Sequence, residues 1–163
     1  MLKELGKYKD RLYSVLAGDN KICGLLLGEN YKNEIDDIDA KLEKYIFPHL
    51  YAEPTITDSD SYILFETYIP KANSNIKTMK IIIQAVCHKN IARYKEKQNG
   101  YYGPRYDVLA QYIEEILCPD NKELIKKRIK QFGIGRLELQ NVDIFLTTDF
   151  VGRILTFITP DFR

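Results

Sequence analysis

Thr78-Met79-Lys80-Ile81-Ile82-Ile83-Gln84-Ala85-Val86-Cys87-His88 decides the fold. Met79, Ile81, Ile83, Ala85 and Cys87 share one parity while Lys80, Gln84 and His88 share the other, and strict period two over this length predicts a strand with one buried face. Its partner lies upstream. Tyr62 to Ile69 is rich in aromatic and β-branched residues, and Pro70 to Asn75 between the two runs is turn-type sequence, so the pair reads as a hairpin. The inward row of the second strand carries no charge, so helices from elsewhere in the chain must cover it.

Outward from this hairpin, Leu2, Leu5, Tyr8, Leu12, Val15 and Leu16 recur at helical steps and predict a helix over Leu2 to Ala17. Ile22 to Gly28 suits a short buried helix or a strand, and we read it as a helical turn capped by Asp19 or Asn20. Glu34, Asp36, Asp37 and Asp39 precede Leu42, Tyr45 and Ile46 as the acidic first turn of a further helix. Phe47 to Tyr51 is extended around Pro48. Downstream, Gly100 to Pro104 is a loop that stops before a helix whose stripe is Val108, Leu109, Tyr112, Ile113, Ile116 and Leu117. Asp120 and Glu123 have the spacing of a capping box that opens a second helix ending at Gly133. Period two returns from Arg136, with a change of phase that implies a bulge or turn near Gln140-Asn141, and a last strand covers Arg153 to Thr159 after a connection over Thr147 to Gly152. The expected architecture is a single α+β domain over residues 1–163. Its mainly antiparallel four-stranded sheet consists of two hairpins, with helices packed over one face.

Composition bounds the function. The 163 residues carry 24 basic against 23 acidic groups, a net charge of +1 that gives no electrostatic footprint for gripping nucleic acid or an anionic membrane. Cys23, Cys87 and Cys118 are odd in number and widely spaced, which fits reduced thiols rather than a disulfide framework. No apolar run approaches the ~20 residues of a membrane span, and the start lacks the apolar core of a signal peptide, so a soluble chain retained where it is made is expected.

Chemistry-bearing motifs are sparse. Cys87 and His88 are strand neighbours and point to opposite faces, which opposes a shared metal. Glu34, Asp36, Asp37 and Asp39 could be taken for a cation site of a metal-dependent enzyme. The cluster lacks the order of an EF-hand loop, and a solvated helix start explains it. Lys122, Lys126, Lys127, Arg128 and Lys130 read as a solvated basic face. Tyr94, Tyr101, Tyr102 and Tyr106 crowd one loop, where they either form a contact surface or seal a core edge. A peptide or small-molecule module using an exposed hairpin edge is a further reading.

Several stretches, in order, resemble the tail-terminator or tail-completion proteins of long-tailed bacteriophages. They are the first helix ending at Leu16-Ala17-Gly18-Asp19, Ser61 to Glu66, Lys77 to Ala85, Arg105 to Leu117, Leu137 to Asp143, and Gly152 to Phe157. The resemblance covers most of the chain and lies in pattern and order. It implies a non-enzymatic α+β subunit without cofactor or metal. Such subunits form a homo-oligomeric ring, sixfold by the symmetry of the tube, that caps the major tail tube protein and meets the head-completion or neck proteins. DNA passes through the lumen without specific binding, and the protein resides in the virion after assembly in the host bacterial cytoplasm. Another neck component is the rival within this class. Lys71, Asn73 and Asn75 of the hairpin loop, with Tyr101, Tyr102 and Arg105, are the candidate contact residues. The acidic insert at Glu34 to Asp39, the tyrosine loop and the helix at Lys122 to Gln131 depart from the pattern.

Overall fold

A computed structural model describes residues 2–50, 58–72, 77–94, 98, 100–133 and 135–162. The alternating run quoted first forms β3 (Lys77–His88), antiparallel to β2 (Ser61–Ala72) with Ile83 opposite Phe65. On its other side β3 pairs with β5 (Phe150–Phe162), Ile83 facing Leu155, and β5 pairs in turn with β4 (Glu138–Leu146). Met79, Ile81, Ile83, Ala85 and Cys87 are all essentially inaccessible to solvent, which confirms the predicted inward face.

Three helices cover that face. α1 (Leu2–Ala17) lays Tyr8, Leu12 and Leu16 on it, α5 (Arg105–Leu117) contributes Val108, Leu109, Ile113 and Ile116, and α2 (Asn20–Leu27) adds Ile22, Cys23 and Leu26. Asp19 caps α2, its side chain accepting from the Ile22 amide at 2.9 Å. The second helix after α5 is α6 (Lys122–Phe132), and Asn121, not Asp120, is its cap, accepting from the amides of Glu123 and Leu124. Arg11 of α1 closes the other end of α6 by donating to the Phe132 carbonyl at 2.5 Å. Gly133 follows in the left-handed region at φ 67°, and a Cβ there would run into the Arg11 guanidinium.

The expected sheet of four antiparallel strands is corrected to a mixed sheet of five, ordered β1-β2-β3-β5-β4. β1 is Ile46–Phe47, parallel to β2 through Ile46 opposite Ile63 and Phe47 opposite Leu64. Two residues cannot display a period, and both are buried, Ile46 in the helix-side core and Phe47 with Tyr62, Leu64 and Val86 on the reverse face. The acidic stretch supplies only short turns, α3 (Tyr31–Glu34) and α4 (Ile38–Leu42), so Tyr45 and Ile46 leave the helix that the sequence spacing implied. Of the bulge or turn expected near Gln140-Asn141, the structure has the bulge, a register shift between Leu139 and Asn141 within β4. The connection expected over Thr147 to Gly152 is shorter, because β5 already starts at Phe150. β4 and β5 join through a tight turn closed by Thr147 N–H donating to the Phe150 carbonyl, and Gly152 lies inside β5. A Cβ at Gly152 would overlap the Ala85 carbonyl oxygen, so only glycine permits the close approach of β5 to β3 there.

Ile83→Asp is expected to prevent folding, because its carboxylate would lie unpaired between Phe65 and Leu155, whereas Gln84→Asp on the half-buried reverse face should cost no more than about 1.5 kcal/mol in urea unfolding. Gly152→Ala should cost about 2 kcal/mol or more by the same measurement, since the sheet must part to admit the methyl group.

Candidate interaction surfaces

The two sides of the sheet end differently. On the β2 side, the backbone of Ile63, Phe65 and Thr67 points away from β3, as the bond from Ile63 N–H to the Tyr45 carbonyl shows. β1 covers the first of these and α1 the rest. Phe65 is fully buried, and the Thr67 amide is taken at 2.9 Å by the carboxylate of Glu66, which Lys9 of α1 holds at 2.5 Å. From Ile63 to Thr67 that margin is closed to a further strand.

The β4 side is open. Nearly every residue of β4 is exposed, and Val142, Ile144 and Leu146 are 49%, 70% and 65% exposed, large aliphatic side chains with no helix above them. Their backbone groups also face outward. Thr147 and Phe150 form a hydrogen-bonded pair, so by alternation Phe145 and Asp143 bond to β5 while Leu146, Ile144 and Val142 present N–H and C=O to solvent. Exposed edges are ordinarily blunted by lysine, proline or inward charge, and β4 has none of these along Val142 to Leu146, where Asp143 lies on the reverse face.

The tyrosine loop is a second surface, and it splits the two readings offered for it. Tyr101 seals a seam. Its hydroxyl donates to Glu115 at 2.8 Å and accepts from Lys21 at 2.5 Å, and its ring meets Tyr112 edge-on at 4.7 Å. The Lys21 ammonium, bonded to Tyr101 and Glu115, is held protonated to higher pH than usual. Tyr102 does the opposite. Gln111 holds its backbone at both groups, Nε2 donating to the Tyr102 carbonyl at 2.7 Å and Oε1 accepting from its amide at 3.3 Å, while the side chain stands 79% exposed. An aromatic ring on a fastened backbone loses little entropy on contact.

Arg105 is a fastener rather than a free contact. Its guanidinium lies 4.5 Å from the Tyr94 ring centre and donates to the Ile91 carbonyl, tying the 3-10 turn Lys89–Ile91 to the start of α5. Arg153 of β5 similarly grips Asp107 at 2.6 Å. Open concavities of about 810 and 880 Å³ flank this region, lined by Tyr94, Tyr102 and Tyr106 on one side and by Lys21, Arg105 and Tyr112 on the other.

Lys71 pairs with Thr78 near the end of β2, and Asn73 and Asn75 lie outside the described residues. That end of the hairpin and the tyrosine loop sit at opposite ends of β3, about 36 Å apart along the strand, so the two sets of candidate residues form separate surfaces. In the acidic stretch Asp37 caps α4 by accepting from Ala40, Glu34, Asp36 and Asp39 are exposed, and among the described residues no three His, Cys, Asp or Glu converge on a metal position. Burial pushes the thiols of Cys23, Cys87 and Cys118 up to about 11. The aliphatic row of β4 was not singled out from the sequence, where it reads as an ordinary half-buried strand.

A model of the YomW family matches residues 19–159. No curated protein matches the chain.

Gln111→Ala should speed amide exchange at Tyr102 by about tenfold or more and lower the melting temperature by under about 3 °C, because it frees a loop without opening the core. At pH 8 the three thiols of the native protein should react with a thiol reagent at least about tenfold more slowly than in the urea-unfolded chain, since their raised values keep them protonated.

Proposed function

The chain belongs to the YomW family, which is associated with phages and prophages of Bacillus, and on that premise we propose that it is a structural subunit of the head-to-tail junction, of the tail-terminator type. It acts by assembly rather than by catalysis. Subunits close into a ring, sixfold to match the tube, that stops tail growth and offers its other side to the neck, and the ring is carried in the virion after assembly in the host cytoplasm. The observation that supports this reading is the unprotected β4 edge with its row of exposed Val142, Ile144 and Leu146, a surface suited to burial against another protein.

The rest of the surface is consistent with that role. Tyr102 on its fastened loop is a preorganised anchor at the other end of β3 from the hairpin tip, so one subunit can contact partners at two separated levels. The net charge of +1 leaves no bulk attraction for DNA passing through a lumen, where each phosphate–lysine contact would add salt-dependent retention. Many modest contacts raised in effective concentration on the tube would close the ring there and not in free solution.

Mixing the purified protein with its cognate tail tubes and imaging the tips by electron microscopy tests the proposal. Capped tips of uniform length are expected. Tubes that keep elongating with bare ends at saturating protein would contradict it, and capture of head connectors without tubes would assign the protein to another neck position.

A further inference from the structure

We infer that two copies of this chain pair through β4, antiparallel about a twofold axis at Ile144, to give one continuous ten-stranded sheet. This does not rest on the junction role. It rests on three properties of the edge.

The first is that the two margins differ among the described residues. β1, α1 and the Glu66–Lys9 pair cover the β2 side from Ile63 to Thr67, so a head-to-tail continuation from β4 of one copy to that stretch of β2 in the next has no free backbone to meet. An edge that pairs with its own copy makes an isologous contact, which closes after two copies.

The second is the register. The bulge between Leu139 and Asn141 breaks the ladder at one end and the Thr147–Phe150 turn ends it at the other, leaving Val142 to Leu146 as the regular stretch, whose middle residue is Ile144. Val142, Ile144 and Leu146 are the positions whose N–H and C=O face outward. A twofold at Ile144 sets Ile144 opposite its own copy and Val142 opposite Leu146 of the second copy, both as hydrogen-bonded pairs. Every outward donor and acceptor of the stretch then has a partner.

The third is side-chain complementarity. In this register the exposed aliphatic row meets the same row of the second copy, so side chains now 49% to 70% exposed are covered by their equivalents. On the reverse face Asp143 lies opposite Phe145 of the second copy, and Asn141 opposite Thr147, so no acid opposes an acid. Moving the axis to Val142 would set Ile144 against Gln140 and Leu146 against Glu138, which wastes the apolar match. The closed pair covers the open β4 edge, from which open-ended sheet growth could otherwise start.

Light scattering on the eluted protein at about 100 μM should give twice the 19.0 kDa chain mass. Ile144→Lys sets two ammonium groups together at the axis and should raise the dimer dissociation constant at least about tenfold with an unchanged melting temperature of the monomer, because the side chain is exposed. Asp143→Lys, on the reverse face of the same strand, should remain dimeric. Val142→Asp and Leu146→Lys should each weaken the dimer alone, and combined in one chain should restore it, since only the Ile144 axis brings these two positions face to face. A monomeric wild type, a higher oligomer, a dimer indifferent to Ile144→Lys, or the absence of rescue in the combined variant would each overturn the proposal.

Discussion

Ile83 at the middle of β3, with Phe65 on one flank and Leu155 on the other, is the contact on which the structure depends. The row from Met79 to Cys87 is covered by α1, α2 and α5, and burying each of its larger side chains is worth about 2 kcal/mol. Because β3 is central, both of its neighbours must present apolar residues at matching positions, and they do: Ile63 and Phe65 from β2, Leu155 and Phe157 from β5. The helices also pack on one another, α2 against α5 and α6 against α1, so that helix–helix and helix–sheet contacts form one continuous core.

The same arrangement explains why β4 is left uncovered. The helices that sit over β3 and β2 shield the β2 margin from Ile63 to Thr67, down to the Lys9–Glu66 ion pair at Glu66. α5 reaches across β5 but not β4, so that Leu155 and Phe157 are buried while Val142, Ile144 and Leu146, one strand further out on the same face, are not. An asymmetric helix layer on a twisted sheet thus creates one closed and one open edge, and the open one carries the apolar surface available to a partner.

Much of this was legible in the sequence wherever a period ran long enough. The alternation from Met79 to Cys87 located the inward face, the stripe of Val108, Leu109, Ile113 and Ile116 located the covering helix, and the phase change at Gln140-Asn141 located the bulge. Short or long-range features were not legible. Ile46–Phe47 is too brief to show a period, and its parallel pairing with β2 depends on where α4 delivers the chain. Asp120 and Asn121 are both competent caps, and local geometry chose Asn121. Tyr101 and Tyr102 are adjacent and identical in type, yet Lys21 and Glu115 hold the hydroxyl of the half-buried Tyr101 while Gln111 holds only the backbone of Tyr102 and leaves its ring exposed. Exposure of the β4 row depends on how far the helices reach across the sheet, which no local pattern encodes.

That the open edge of β4 is the assembly surface is the central claim, and amide exchange residue by residue tests it most directly. Asp143 and Phe145 bond to β5 and serve as internal controls that stay protected throughout. In dilute protein the outward amides of Val142, Ile144 and Leu146 should exchange quickly. In concentrated or tube-bound protein the account predicts that these three slow by at least about tenfold. If they exchange at the dilute rate while the protein is demonstrably assembled, the edge is not the interface and the account is wrong.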